Sequence, residues 1–209
     1  MARLKTEAEF RGELFKLMRR CWLWPKTTTN AWVCHRCGAR NLPEGNVPDL
    51  VCHNAPVAIE VKMFSPPKDD EYLRSSFAFS DITPGQRQWL SLFSKDNGRE
   101  SAYLGIGMRH GRAGTKKEPR RAWLPPWIKW LVVEHLLVDN TGNHTLPLFA
   151  RPHISHIAQK QLLVAEYLLG DWELVWDKGG WHLPPEHPLC KYLRDGQERD
   201  TEAEAARWR

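Results

Sequence analysis

The chain has 209 residues, 42% of them hydrophobic, and a formal net charge of +5. That length allows one domain of ordinary size, or one compact domain with an extension, and the apolar content excludes a globally disordered chain. No apolar run reaches the ~20 residues of a membrane helix, and charges throughout Met1–Lys16 argue against a secretory signal. We therefore expect a cytoplasmic protein without membrane contact, whose five cysteines are reduced thiols or metal ligands.

The N-terminal segment predicts a helix from about Thr6 to Cys21. Thr6 and Glu9 have the spacing of a capping box. One stripe of the helix is apolar and comprises Phe10, Leu14, Leu17, Met18 and Cys21. Glu7 shares the angular range of that stripe at its N-terminal end, whereas Glu9 and Glu13 lie outside it.

Two strand-like segments, Val47–Cys52 and Val57–Phe64, predict a β-hairpin. Apolar and polar positions alternate in the second segment, with Ile59, Val61 and Met63 on one face and Ala58, Glu60 and Lys62 on the other. The short loop between the segments places Asp49 directly opposite Glu60. Lys62 lies two residues further along on the same face, so two carboxylates and one ammonium converge.

The other elements follow from local signals of capping, alternation and turns. In chain order we predict a strand at Trp22–Trp24 ended by Pro25, a loop over Lys26–Asn46, a loop over Ser65–Ser80, a helix capped by Thr83 and running from Pro84 to about Ser94, a break at Asn97–Gly98, a strand at Ala102–Met108, a basic loop at Arg109–Arg121, a strand at Ala122–Leu124, helices at Pro126–Leu137 and Ile154–Leu169, and a hairpin of Trp172–Trp176 with Trp181–Leu183. The tail after Leu193 is charged, and we expect it to be mobile.

Opposed carboxylates destabilise a sheet unless something offsets their repulsion. Mg²⁺ prefers oxygen ligands and commonly combines one or two carboxylates with water and substrate phosphates. Such a site can activate water for attack on a phosphodiester. Lys62 could then orient or deprotonate the water, or neutralise charge on the phosphate. The simpler alternative is a surface hairpin on which Lys62 merely pairs with an acid.

The segment Pro48-Asp49, followed after ten residues by Glu60-Val61-Lys62, resembles the motif of the PD-(D/E)XK nucleases. Ile82–Leu90 resembles the glutamine-bearing helix that follows this motif in resolvase-like members. The similarity spans roughly residues 5–108, and the closest branch is that of the Holliday-junction resolvases and phage nucleases. It implies a restriction-endonuclease-like α/β core with a central mixed sheet flanked by helices at 1–124. An α+β extension would occupy 125–209.

The resemblance implies roles for individual residues. The metal ligands would be Asp49, Glu60 and the backbone carbonyl of Val61, with Lys62 as the catalytic lysine and Gln86 projecting towards the site. The family's first acidic residue lies on the N-terminal helix. Glu7 fits that position best by helical phase, and Glu9 and Glu13 remain alternatives.

The expected activity is Mg²⁺- or Mn²⁺-dependent endonucleolytic hydrolysis of DNA, with branched DNA favoured by the resemblance alone. Paired symmetric cuts would require a homodimer, which the C-terminal extension could form. The owner would be a bacterium or a phage in an infected host cell. Two alternatives stay open: a non-catalytic nucleic-acid-binding protein, and a nuclease subunit of a larger DNA-processing complex.

A second metal site is one interpretation of the cysteine loop. Cys34 and Cys37 have the spacing of half a zinc knuckle, which Cys52 and His53 could complete, with His35 as a further ligand. The other interpretation is a pair of free thiols in a polar loop.

Basic and aromatic residues suggest further contacts. Beside a nuclease core, phosphate contact is the favoured role for six basic residues: Arg109, Arg112, Lys116, Lys117, Arg120 and Arg121. Trp22, Trp24 and Trp89 are expected to pack around the core. For seven other tryptophans we expect a dimer surface or a DNA-stacking platform, namely Trp123, Trp127, Trp130, Trp172, Trp176, Trp181 and Trp208.

Overall fold

The computed structural model describes residues 6–27, 48–64, 77–108, 121–141, 145–146, 169–177 and 180–193. The helices are α1 (Glu7–Arg20), α2 (Pro84–Asn97) and α3 (Trp127–Thr141). The strands are β1 (Pro25–Thr27), β2 (Leu50–Cys52), β3 (Ala58–Phe64), β4 (Phe77–Ala78), β5 (Ala102–Met108), β6 (Ala122–Trp123), β7 (Thr145–Leu146), β8 (Val175–Asp177) and β9 (Gly180–His182). Predicted elements on the remaining residues, including most of the helix at 154–169 and the tail after 193, lie outside the described residues.

The centre of the molecule is a five-stranded mixed sheet in the order β1-β2-β3-β5-β6. Strands β3 and β5 are parallel and joined through α2, whereas the other neighbouring pairs are antiparallel. Val61 on one face packs in a cluster with Phe10 of α1. Ile106 on the other face packs with residues of α2 and α3. The α/β class, with a mixed sheet flanked by helices, is therefore confirmed.

The β2–β3 hairpin has the predicted register. Leu50 pairs with Ile59 and Val51 with Ala58, and the Cys52 N–H donates to the Val57 carbonyl at 2.8 Å. Continued by one residue, this register sets Asp49 opposite Glu60. Strand β2 is shorter than predicted and begins at Leu50, so Asp49 lies just before it.

Helix α1 begins and ends through recognisable caps. The Thr6–Glu9 capping box forms as predicted. At the other end the Leu23 N–H donates to the Met18 carbonyl at 3.0 Å, and Trp22 has a φ of 59°, which is the pattern of a Schellman motif. The predicted strand at Trp22–Trp24 is therefore wrong. The strand begins instead at Pro25, where an edge strand tolerates the missing N–H.

Helix α2 is also capped as predicted. Thr83 and Gln86 form a capping box, with Pro84 in the first turn. The helix continues to Asn97, three residues beyond the predicted end. Gly98 follows with a φ of 101°, a left-handed conformation that glycine adopts without steric cost.

The C-terminal elements pack against the same sheet. Helix α3 starts one residue after the predicted position, and β8 and β9 form the predicted hairpin with Asp177 opposite Gly180. Leu174 donates its N–H to Ala122 of β6 at 2.8 Å. Leu183 and Leu189 join the apolar cluster beneath α1. The domain boundary at 124 stays a prediction, although described residues on both sides share these clusters.

Three further features differ from expectation. Within the predicted loop Ser65–Ser80, Phe77–Ala78 forms β4 and pairs with Thr145–Leu146. Four of the tryptophans expected at a surface are core residues that expose 2% or less, namely Trp123, Trp127, Trp130 and Trp181. Trp24, expected in the core, is 46% exposed and lies 4.8 Å below the Arg19 guanidinium.

None of the helices in the described part of the chain has the length and apolarity of a membrane span.

Candidate active site

The candidate site lies along the edge of β3, next to the N-terminal end of β2. In an antiparallel pair, alternate residues direct their backbone groups to a given neighbouring strand. On β3 and just before it, the residues whose backbone N–H and C=O groups point to the β2 side are Val57, Ile59, Val61 and Met63. Beyond β2, the described residues that bind this edge do so through their side chains. The Val61 N–H donates to Asp49 Oδ2 at 2.9 Å, and the Met63 backbone hydrogen-bonds the Glu7 carboxylate. The Val61 carbonyl faces the same edge, between these two contacts.

Glu60 projects from β3 towards α2 and is 1% exposed. Its Oε1 lies 2.9 Å from Lys62 Nζ and accepts a hydrogen bond from Gln86 Nε2 at 2.5 Å. Its other oxygen, Oε2, is buried and has no hydrogen-bond partner among the described residues. A buried carboxylate oxygen of this kind carries a proton or faces a cation, because an unpartnered charge is costly inside a protein.

The ionisable groups of the site strongly affect one another. Burial, reinforced by the charge of Asp49, raises the pKa of Glu60 to about 7, and Lys62 offsets only part of this. Burial alone would lower the pKa of Lys62, but the charge and hydrogen bond of Glu60, with the charges of Glu7 and Asp49, raise it overall. Lys62 is therefore an ammonium at neutral pH. Burial likewise raises the pKa of Glu7, against the opposing charge of Lys62.

Gln86 is oriented by the cap of its own helix. Its Oε1 accepts the Thr83 N–H at 3.0 Å, which turns its Nε2 towards Glu60. A capping-box position occupied by Gln can thus serve the helix with one atom and the carboxylate with the other. Gln86 lies at the site that its spacing from the motif predicted.

Of the three glutamates on α1, Glu7 is the one that reaches the site. Glu9 completes the capping box with Thr6, and Glu13 pairs with Lys16 at 2.8 Å on the exposed side. The helical-phase preference for Glu7 therefore agrees with its placement in the structure.

Arg11 is a member of the site that we did not predict. Its Nη1 donates to Asp49 Oδ1 at 2.9 Å, with the Arg11 side chain 36% exposed and that of Asp49 16% exposed. The signal in the sequence was its position four residues after Glu7, which places both on one side of α1. That spacing alone does not show which strand the helix covers.

The donor set fits a hard divalent cation. Within the described residues no group of three His, Cys, Asp or Glu side chains could hold a metal by itself. Asp49, Glu60 and the Val61 carbonyl offer two carboxylates and one backbone oxygen, and Mg²⁺ commonly uses such a partial protein shell completed by water. The buried Oε2 of Glu60 is the observation that favours a cation here.

Most residues of the predicted zinc and DNA contacts lie outside the described residues: Cys34, Cys37, Arg109, Arg112, Lys116, Lys117 and Arg120. Cys52 packs in the apolar core, where burial raises its pKa to about 12, and His53 is exposed. Arg121 forms a bidentate pair with Glu173 and lies 4.8 Å above Trp123. These contacts give Cys52 and Arg121 structural roles; zinc and DNA binding at these sites stay predictions.

We compared the chain with protein-family models, with curated proteins and with solved structures, and found no match.

Proposed function

We propose that the protein is a metal-dependent endonuclease that hydrolyses phosphodiester bonds of DNA, built on a restriction-endonuclease-like core. The proposal is carried by one observation. Two acids, Asp49 just before β2 and Glu60 on β3, lie in register near Lys62, and one Glu60 oxygen is buried without a partner among the described residues. The resemblance to PD-(D/E)XK nucleases supports the same assignment.

In the proposed mechanism, different residues of this edge hold the metal, stabilise charge on the phosphate and orient Glu60. Mg²⁺ or Mn²⁺ would be held by Asp49, Glu60 and the Val61 carbonyl, and it would supply water activation and stabilisation of phosphate charge. The Lys62 ammonium, with its raised pKa, suits stabilisation of developing negative charge better than proton abstraction. Gln86 orients Glu60, and Glu7 adds a further anionic group at the β3 edge.

The substrate preference follows from the resemblance, which favours branched DNA. A four-way junction resolved by two symmetric cuts needs two active sites, and therefore a homodimer. Light scattering of the purified chain at several concentrations tests this part independently of cleavage. A monomer at all concentrations that cut DNA would exclude the dimeric resolvase while leaving the endonuclease intact.

The activity is tested with the full chain on four-way-junction, linear duplex and single-stranded DNA, each with Mg²⁺, with Mn²⁺ and with EDTA. We expect cleavage in either metal and none in EDTA. If DNA is bound but never cut, the non-catalytic nucleic-acid-binding alternative replaces this proposal.

Variants then locate the site. Asp49→Asn and Lys62→Ala should each lower the cleavage rate by a factor of about 100 or more, because the first removes a carboxylate that would hold the metal and the second removes the ammonium that would stabilise charge on the phosphate. Glu13→Gln is the matched control, since Glu13 is an acid of α1 that pairs with Lys16 on the exposed side of the helix. Cleavage that survives in both site variants would show that the active site lies elsewhere.

A further inference from the structure

In the structure, the Arg11 guanidinium pairs with Asp49 at the proposed metal-binding edge. Asp49 Oδ2 is bound by the Val61 N–H and Oδ1 by the Arg11 guanidinium, each at 2.9 Å. Both oxygens of this acid are thus partnered. A divalent cation held by Asp49 and Glu60 would lie beside a guanidinium of like charge, and repulsion at such short range is unfavourable.

The balance of acidic and basic side chains at this edge favours displacement of the Arg11 guanidinium by a divalent cation. Three acids, Glu7, Asp49 and Glu60, face two permanent or near-permanent cations, Arg11 and Lys62. A divalent ion in addition would give the edge an excess of positive charge. Lys62 is only 15% exposed and is tied to Glu60. Arg11 is 36% exposed, so it is the cation better able to leave.

Once released from Asp49, the Arg11 guanidinium can bind a phosphate group instead. A planar guanidinium fork matches the oxygens of a phosphate as well as those of a carboxylate. Arg11 projects from α1 at the strand edge where the proposed substrate phosphate would approach. The same side chain can therefore pair with Asp49 in the metal-free protein and with DNA in the loaded one.

From these contacts we propose that Arg11 is an exchangeable counter-ion: it holds Asp49 until a divalent cation takes its place, and it then binds a backbone phosphate of the DNA. This inference rests on the proposed function. It makes metal and DNA binding mutually reinforcing, because the cation releases the group that DNA needs, and binding linkage is reciprocal.

The test measures metal and DNA binding separately in Arg11→Gln. In calorimetric titration with Mn²⁺ alone, this variant should bind the ion about 5-fold more tightly than the wild-type protein, because Asp49 is no longer paired. In fluorescence anisotropy with a short labelled duplex, it should bind DNA more weakly in Ca²⁺. The gain in DNA affinity between EDTA and Ca²⁺ should also shrink by about 5-fold. A merely structural role would not move the two affinities in opposite directions.

The matched control is Lys16→Gln, which removes one positive charge from α1 at an exposed ion pair with Glu13 and should leave both affinities near wild type. Arg11→Lys retains the charge without the guanidinium fork. It should keep the wild-type Mn²⁺ affinity but bind DNA more weakly. If Arg11→Gln does not fold, Arg11→Lys provides the test. Arg11 variants that bind Mn²⁺ and DNA as the wild type does would overturn the counter-ion role alone. Absence of Mn²⁺ binding by the wild-type protein would instead overturn the proposed function, and this inference with it.

Discussion

At the scale of single residues, Glu60 is placed where folding alone would not favour it. Glu60 is 1% exposed, and burial beside Asp49 raises its pKa to about 7. The folded state therefore prefers the protonated acid, and ionisation at higher pH costs stability. Proteins commonly retain such unfavourable groups at sites whose function needs them.

Replacing Glu60 by Gln should therefore stabilise the metal-free protein at high pH. The folded pKa of about 7 lies above the ordinary value of 4.5. The penalty is absent below pH 4.5, grows as the pH rises towards 7, and is complete above it. We expect Glu60→Gln to raise the free energy of unfolding by about 1–3 kcal/mol at about pH 8. At about pH 4 the gain should vanish. Urea denaturation in EDTA at both pH values measures the difference.

Glu13→Gln again serves as the control for this measurement, since its acid is in an exposed pair worth little. A Glu60→Gln variant that is less stable than the wild type at about pH 8 would show that the carboxylate stabilises the fold. The cost of ionisation that we assign to this buried carboxyl would then be absent.

The site residues differ in how far they could be predicted. Asp49, Glu60 and Lys62 follow from strand alternation and a short loop, because side-chain period and register together determine which residues share a face. Arg11 depends on where α1 crosses the sheet, which local spacing does not determine. The Arg121–Glu173 pair joins residues far apart in the chain, so the basic character of the segment at 109–121 gave no sign of it.

At the scale of elements, two glycines of β5 face α1 and leave no room for a side chain between them. A Cβ on Gly107 would lie 2.6 Å from Phe10 Cδ1, and one on Gly105 would lie 2.7 Å from Leu14 Cδ1. Real Cβ atoms do not approach other atoms so closely. These glycines therefore permit the close packing that carries Glu7 and Arg11 to the edge of β3.

Adding one methyl group at this contact should push the helix away. The new methyl of Gly107→Ala would meet the ring of Phe10 and the Met63 sulfur within 2.9 Å, and overpacking of this kind costs about 1–3 kcal/mol. Gly12→Ala is the matched control, because a Cβ at that position would have nothing within 4 Å. In a helix this substitution should gain up to about 1 kcal/mol. Urea denaturation distinguishes the two, and equal stability of both variants would refute the close contact.

The elements that can be predicted well are those with local signals. Capping boxes at Thr6 and Thr83 and the loop of the β2–β3 hairpin are encoded within a few residues. The pairing of β4 with β7 joins segments nearly seventy residues apart, and no local pattern announces it. The strand predicted at Trp22–Trp24 is wrong because the apolar, aromatic composition is typical of strands, whereas the backbone of this segment closes the end of α1.

At the scale of the whole molecule, a second buried group, His187, affects stability over nearly the same pH range as Glu60. His187 is 2% exposed, its Nε2 contacts the Leu124 carbonyl at 2.9 Å and its Nδ1 accepts the Leu189 N–H. Its ring stacks on Tyr103. Burial lowers the pKa of His187 to about 4, although the Leu124 carbonyl partly opposes the shift. The C-terminal segment is thus tied to the sheet by an uncharged histidine.

His187 and Glu60 should make opposite contributions to the pH dependence of stability. The folded pKa of His187 lies below its ordinary value of 6.5, so its contribution is complete above pH 6.5 and is lost as the pH falls towards 4. In this pH range His187 binds a proton more readily in the unfolded chain than in the folded one. Glu60 instead binds its proton more readily in the folded chain. Because the two pKa shifts are of similar size, each worth about 3 kcal/mol, they should largely cancel in the wild-type protein.

Variants separate these two contributions. His187→Gln loses the ring and its stacking, so it should be less stable at every pH. Its distinctive effect is on how the free energy of unfolding changes with pH. Relative to the wild type, its free energy of unfolding should fall as the pH rises from about 4 to 7, since Glu60 then acts unopposed. Glu60→Gln should show the reverse slope, and the double variant should return to the wild-type profile. Urea denaturation in EDTA across this range provides the four profiles; parallel curves would mean that neither buried group couples protonation to folding.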